Sequence, residues 1–151
     1  MANTLQWNLL IIGYGNTLRS DDGVGPRVAD AIAEMHWPGV ETIHAALLAP
    51  ELADPVSHAR TVVFVDAAAD RPNQPREVRL QPLEPAESSQ IMAHAADPRT
   101  MLALSRDVFG HTPKAFMLTI PVENMGIGEE LTPFAQRGMI EAIEILRKMA
   151  G

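Results

Sequence analysis

The sequence predicts an α/β protein: a three-layer sandwich with a mixed, mostly parallel five-stranded sheet and helices on both faces. Three observations carry this. Leu9–Ile12 and Thr61–Val65 are continuous apolar runs of strand length, as expected for strands covered on both sides. Helical spacing of apolar residues alternates with such runs, at Val24, Val28 and Ile32 and again at Met139, Ile140, Ile143 and Leu146. A turn at Gly13-Tyr14-Gly15 joins the first run to the first helix, and in an open α/β sheet that junction faces the ligand crevice.

The elements follow in order. After the Leu9–Ile12 strand, Gly13 and Gly15 bracket Tyr14 in a sharp turn where glycine's freedom is useful. Asn16 and Ser20 suit local side-chain-to-backbone turns. Asp21 and Asp22 then stand at the start of a helix over about 25–35, with Pro26 in its first turn. Pro38-Gly39 breaks the chain, and 40–46 reads as a second strand. A short helix is expected over 50–58, limited by Pro55.

Thr61–Val65, β-branched and aromatic, reads as the central strand, closed by Asp66. A loop with Asp70, Pro72, Asn73 and Pro75 follows. Glu77–Leu83 alternates like a half-buried strand. The preceding loop is too short for a helical crossover, so this strand is expected antiparallel beside its predecessor, with Pro82 at an end or edge. Asp97-Pro98 gives a cap and a first-turn proline for a helix to Phe109, with Met101, Leu104 and Val108 as its apolar face and Gly110 as its stop. Lys114–Ile120 is the fifth strand, and Thr132-Pro133 starts the last helix.

The chain has 151 residues, the size of one domain, here taken as 1–151. A formal net charge of −7 argues against nucleic acid as a partner. No apolar run reaches membrane-spanning length, so no membrane association is expected, and no basic segment precedes the first apolar run. There is no cysteine, hence neither a disulfide framework nor thiol chemistry, which fits a cytoplasmic protein.

Three residues are placed to do chemistry. Asp22 follows the first strand, Asp66 closes the third, and His94 sits in an irregular segment before a helix. A carboxylate at the end of a buried strand is costly unless solvated in a cleft, hydrogen-bonded or paired. If the two strands are neighbours, Asp22 and Asp66 share one crevice, and with an imidazole they make a site suited to zinc or nickel. The alternatives are structural: a helix cap for either Asp21 or Asp22, an Asx cap for Asp66, an exposed loop histidine for His94. His36 and His58 fall near helix ends, His44 on a strand as packing or interface, His111 in a loop, and Glu123 after a strand end is a lesser candidate. A dinucleotide fingerprint fails because Leu18 stands where its third glycine belongs. No phosphate-binding loop, nucleophile elbow or HExxH pair is present.

The pattern G-x-G-N-x-L-x-x-D-D-x-x-G at Gly13–Gly25 resembles the opening motif of the NiFe-hydrogenase maturation endopeptidases. The resemblance extends to TVVFVDA at Thr61–Ala67, to His94 before a helix, and to IPVENMGIGEELTP at Ile120–Pro133. It implies an α/β sandwich and an endopeptidase that clips a C-terminal extension from a hydrogenase large-subunit precursor after nickel insertion. The metal-contacting positions of that family fall on Asp22, Asp66 and His94. The implied nickel arrives with the substrate, and another divalent ion could take its place in vitro. Asp22 replaces the Glu of some members, and HAALLAPEL at His44–Leu52 replaces a Gly-rich turn common among them.

On this reading the two carboxylates and the His94 imidazole complete the coordination of a substrate-held nickel and place the scissile peptide, or Asp22 or Asp66 acts as a general base without a metal of its own. Two other classes stay open: a metal-dependent hydrolase of a small substrate, and a non-catalytic nickel-site chaperone. The site is expected to bring Asp22, Asp66 and His94 within reach of one ion, with a coordination position left open.

Overall fold

The computed structural model describes residues 4–69, 73, 76–88 and 96–151. His94, with Asp70, Pro72 and Pro75 of the expected loop, lies outside the described residues. Five strands form one sheet: β1 (Trp7–Tyr14), β2 (Val40–Ala45), β3 (Ala59–Ala68), β4 (Arg79–Pro82) and β5 (Lys114–Pro121), in the spatial order β2-β1-β3-β5-β4. The helices are α1 (Val24–Met35), a short α2 (Ala53–Val56), α3 (Pro98–Phe109) and α4 (Pro133–Ala150). Single 3-10 turns at Ser20–Gly23 and Pro50–Leu52 precede α1 and α2, so the helix expected over 50–58 is split in two.

The apolar runs are covered on both sides. Leu9, Ile11, Val63, Val65, Leu118 and Ile120 face α1 and α4, against Val28, Ile32, Ala142 and Leu146. Leu10, Ile12, Val62 and Phe64 face the other way, against Val56 of α2 and Met101 and Leu102 of α3. Each fully buried side chain of this kind contributes about 2–3 kcal/mol through burial alone, which is why two apolar faces on one strand force two helical layers.

Pairing is parallel for β1 with β2 and β3 and for β3 with β5, and antiparallel for β4 with β5. The antiparallel sense of the fourth strand matches the sequence; its neighbour does not. β3 has both edges occupied, by β1 and β5, so the next free edge is the outer side of β5. β4 takes it with Arg79 opposite Thr119 and Pro82 opposite Phe116. All four β4 residues are exposed, as suits a short edge strand ending in proline, and the expected half-burial is absent.

Both proline-started helices carry their expected caps. Asp97 Oδ1 accepts from Arg99 N at 2.9 Å, and Thr132 Oγ1 accepts from Ala135 N at 3.2 Å. Gly110 ends α3 in the left-handed region at φ 78°. On α3 the buried residues include Met101, Leu102 and Ser105, while Val108 is 65 % exposed, so the apolar face is rotated from the one expected. Ile140 likewise points to solvent from α4, which packs through Ala135, Gly138, Ala142 and Leu146.

Candidate functional site

The site is set by how closely α1 approaches the sheet. A Cβ on Gly25 would lie 2.5 Å from the Val65 carbonyl oxygen, and one on Gly13 would lie 2.0 Å from the Gly25 carbonyl oxygen. The first turn of α1 is thus pressed onto the carboxyl ends of β1 and β3. Gly13 is still inside β1 and serves this contact rather than the turn. Gly15 serves the turn, with φ 148° and no room for a Cβ beside the Asp22 carbonyl. Asn16 closes the turn as expected, its Oδ1 accepting from Leu18 N at 2.9 Å.

Asp22 and Asp66 come to the same edge of the sheet. Gly13 pairs with Val65, so Tyr14 and Asp66 are the next residues on two neighbouring parallel strands. Asp66 does not close its strand: β3 continues to Ala68 because β5 runs on beside it, with Asp66 opposite Thr119. The Asx contact foreseen for Asp66 is present and uses Oδ1, which accepts from Ala67 N at 2.8 Å. Asp22 is partly exposed on the 20–23 turn, and its Oδ2 accepts from Asn16 N at 2.9 Å. Neither Asp21 nor Asp22 caps α1, whose N-cap is Gly23 with no side-chain bond.

Burial pushes the Asp66 carboxyl up to about 6, and the nearby negative charge of Asp22 adds to the rise, against hydrogen bonds from Ala67 N–H and the Tyr14 hydroxyl. The Tyr14 phenol is itself pushed far up, first by burial and then by Asp66, so it remains a neutral donor at any working pH. Its hydroxyl also lies 3.9 Å from Met117 Sδ. Tyr14 was not singled out from the sequence; the β1–β3 register is what brings it beside Asp66.

Asp21 has a different environment. It is 0 % exposed. Oδ2 accepts from Glu123 N and Asn124 N at 3.1 Å each and from Thr132 Oγ1 at 2.8 Å, while Oδ1 accepts from Thr132 N at 2.7 Å. Burial alone would raise its pKa, but these donors, Thr132 foremost, overcome it and hold the carboxyl below the ordinary range. The segment after β5 is thereby tied to the 20–23 turn. Ser20 reinforces the tie with N–H to Gly128 O at 2.7 Å and Oγ to Glu130 O at 2.6 Å. The local turn expected for Ser20 is therefore replaced by bonds to a segment a hundred residues away.

The other candidates separate from this edge or take structural roles. The Glu123 side chain pairs with Arg76 at 3.2 Å. His44 is exposed and meets Asp30 at 2.5 Å, rather than packing. Nearby, a cleft of about 420 Å³ runs from the Gly15–Leu18 turn past Asp30 to His44 and Ala46. His111 Nε2 contacts Ala59 O at 3.0 Å, and His58 meets Asp54. Among the described residues no three ligand-type side chains gather on one point, so the described part of the site is the Asp22–Asp66 pair. Two carboxylates are hard oxygen donors and by themselves fall short of a full ligand set for a metal ion.

No family model and no curated protein matches the sequence. Solved structures do match. The [NiFe] hydrogenase maturation protease HybD from Thermococcus kodakarensis superposes with a TM-score of 0.73 at 22 % identity, covering 95 % of this chain and 99 % of its own. HycI from Thermococcus kodakarensis KOD1, also titled a [NiFe] hydrogenase maturation protease, gives 0.72 at 19 % identity, covering 95 % and 92 %. The hydrogenase maturating endopeptidase HybD from E. coli gives 0.69 at 20 % identity, covering 92 % and 89 %. The chain therefore has the α/β fold of these proteins, over nearly its full length. At these identities the likeness is one of fold.

Proposed function

We propose that the chain is an endopeptidase that removes the C-terminal extension of a NiFe-hydrogenase large-subunit precursor after nickel insertion. The observation that carries this reading is the meeting of Asp22 and Asp66 at one carboxyl edge, on a fold shared with proteins titled hydrogenase maturation proteases. The opening motif at Gly13–Gly25 supports it independently.

In this reading the nickel is part of the substrate. Asp22 and Asp66, with His94, recognise it and so bring the adjoining peptide into the cleft. The chain holds no thiolate that would compete for the metal. With its carboxyl near 6, Asp66 is a proton acceptor matched to neutral pH, able to take a proton from an attacking water. The Tyr14 hydroxyl beside that carboxylate favours its charged form. When bound, nickel supplies Lewis-acid polarisation of a neighbouring carbonyl. No helix among the described residues is long and apolar enough to cross a membrane, and the proposed reaction is cytoplasmic.

The test is incubation of the purified chain with candidate large-subunit precursors, with and without nickel, read by intact mass. The expected result is loss of a single C-terminal peptide from the nickel-loaded precursor only. Stable binding of that precursor without cleavage would instead identify a chaperone.

A further inference from the structure

We propose that Asp21 is a positioning residue for this reaction: its buried carboxylate locks the segment after β5 onto the 20–23 turn and so fixes the direction in which Asp22 enters the cleft. The inference rests on the functional reading above. Asp21 is not needed as a cap, since α1 begins on Gly23 and α4 is capped by Thr132. Filling the same space with an apolar side chain would avoid burying a charge at all, so a buried carboxylate with four donors points to a demand for geometry.

The geometry leads to Asp22 by the main chain. Asp21 N donates to Asn124 O at 2.9 Å, so backbone and side chain of Asp21 are both held by the segment after β5. Ser20, one residue earlier, is kept at φ 48°, in the left-handed region that a non-glycine residue rarely adopts, by its own bonds to Gly128 and Glu130. Asp22 N donates to Arg19 O at 3.0 Å, and Gly15 packs against the Asp22 carbonyl. Asp22 is therefore gripped on both sides of its Cα, while among the described residues its carboxylate accepts from Asn16 N alone. Releasing Asp21 frees the turn to rotate Asp22 away from Asp66.

The test compares Asp21→Asn with Leu146→Ala, a core truncation about 20 Å farther along α4, both assayed well below their melting temperatures. Thr132→Ser, which keeps the hydroxyl, is the conservative control. Precursor cleavage and binding of cadmium alone, by calorimetry, are both read. Asp21→Asn is expected to lose cleavage roughly 10- to 100-fold and to bind cadmium more weakly, with Leu146→Ala and Thr132→Ser near wild type in both. If Asp21→Asn does not fold, Thr132→Val, which removes one of the four donors together with the α4 cap, is expected to show the same two losses in milder form. Equal behaviour of the Asp21 or Thr132→Val variant and Leu146→Ala overturns the positioning role. Wild-type cleavage by Asp22→Asn overturns the functional reading together with it, whereas an inactive Asp22→Asn confines the failure to Asp21.

Discussion

Asp21 and Asp66 stand a few residues from the same edge of the sheet, both withdrawn from water, and they are driven in opposite directions. Asp21 is the more deeply buried, yet its carboxyl is held low, because three backbone N–H groups and a hydroxyl point at it. Asp66 retains more contact with solvent, yet is pushed up to about 6, because one backbone N–H and a phenol do not offset desolvation and the charge of Asp22. Burial alone does not decide the protonation of a carboxyl; the number of donors aimed at it does. One aspartate is tied by its donors and the other is left under-solvated, a setting that suits the metal or proton of the proposed reaction.

The largest expected effect breaks the rigid side. Asp21→Asn turns an amide N–H₂ toward groups that all donate, and should cost roughly 3 kcal/mol, seen as a fall in melting temperature of roughly 6–12 °C. A fall within about 2 °C would show that the four bonds contribute little and that Asp21 is no more firmly held than Asp66.

The next effect concerns pH, and the two aspartates act on opposite limbs. Asp21, with a lowered folded value, stabilises above its unfolded range and loses that contribution as the pH falls into the acid region. Asp66, with a raised folded value, is best accommodated when protonated. Its contribution is complete below about pH 4 and is lost as the pH rises to about 6. Denaturant melts of wild type and Asp66→Asn should thus coincide near pH 4 and separate by about 1–3 kcal/mol above pH 6, with the variant the more stable. Parallel curves across that window would mean that Asp66 is not strained by its setting.

The smallest effect serves as the solvent-exposed counterpart. His44 and Asp30 lie 2.5 Å apart, but their side chains are 66 % and 59 % exposed. Asp30→Asn should change stability by less than about 1 kcal/mol, since water screens the pair. A larger loss would place part of the rigidity in the cleft wall rather than in the Asp21 tie.

What was legible in the sequence was mostly local. Leu9–Ile12 and Thr61–Val65 announced covered strands through unbroken apolar character, and Asp97-Pro98 and Thr132-Pro133 marked helix starts through cap chemistry confined to four residues. The parallel β1–β3 pairing that unites Asp22 with Asp66 was open to inference because both carboxylates follow buried runs. The neighbour of β4 was not legible, because edge occupancy depends on where β5 goes, more than thirty residues later. Nor was the burial of Asp21, whose donors lie at 123, 124 and 132. Two adjacent aspartates look alike in a sequence; only the long-range partners make one a tie and leave the other beside Asp66. Tyr14 and Gly13 were hidden for the same reason, since strand register and helix approach set their roles.

In the proposed reaction Asp66 is held at a cost to stability for the sake of catalysis, and one pair of readings on Asp66→Asn tests this. The variant is melted at neutral pH and incubated with the nickel-loaded precursor, with the product weighed intact. The expected result is a protein at least as stable as wild type that leaves the precursor uncut. Cleavage at the wild-type rate would show that the strained carboxyl has no part in the reaction.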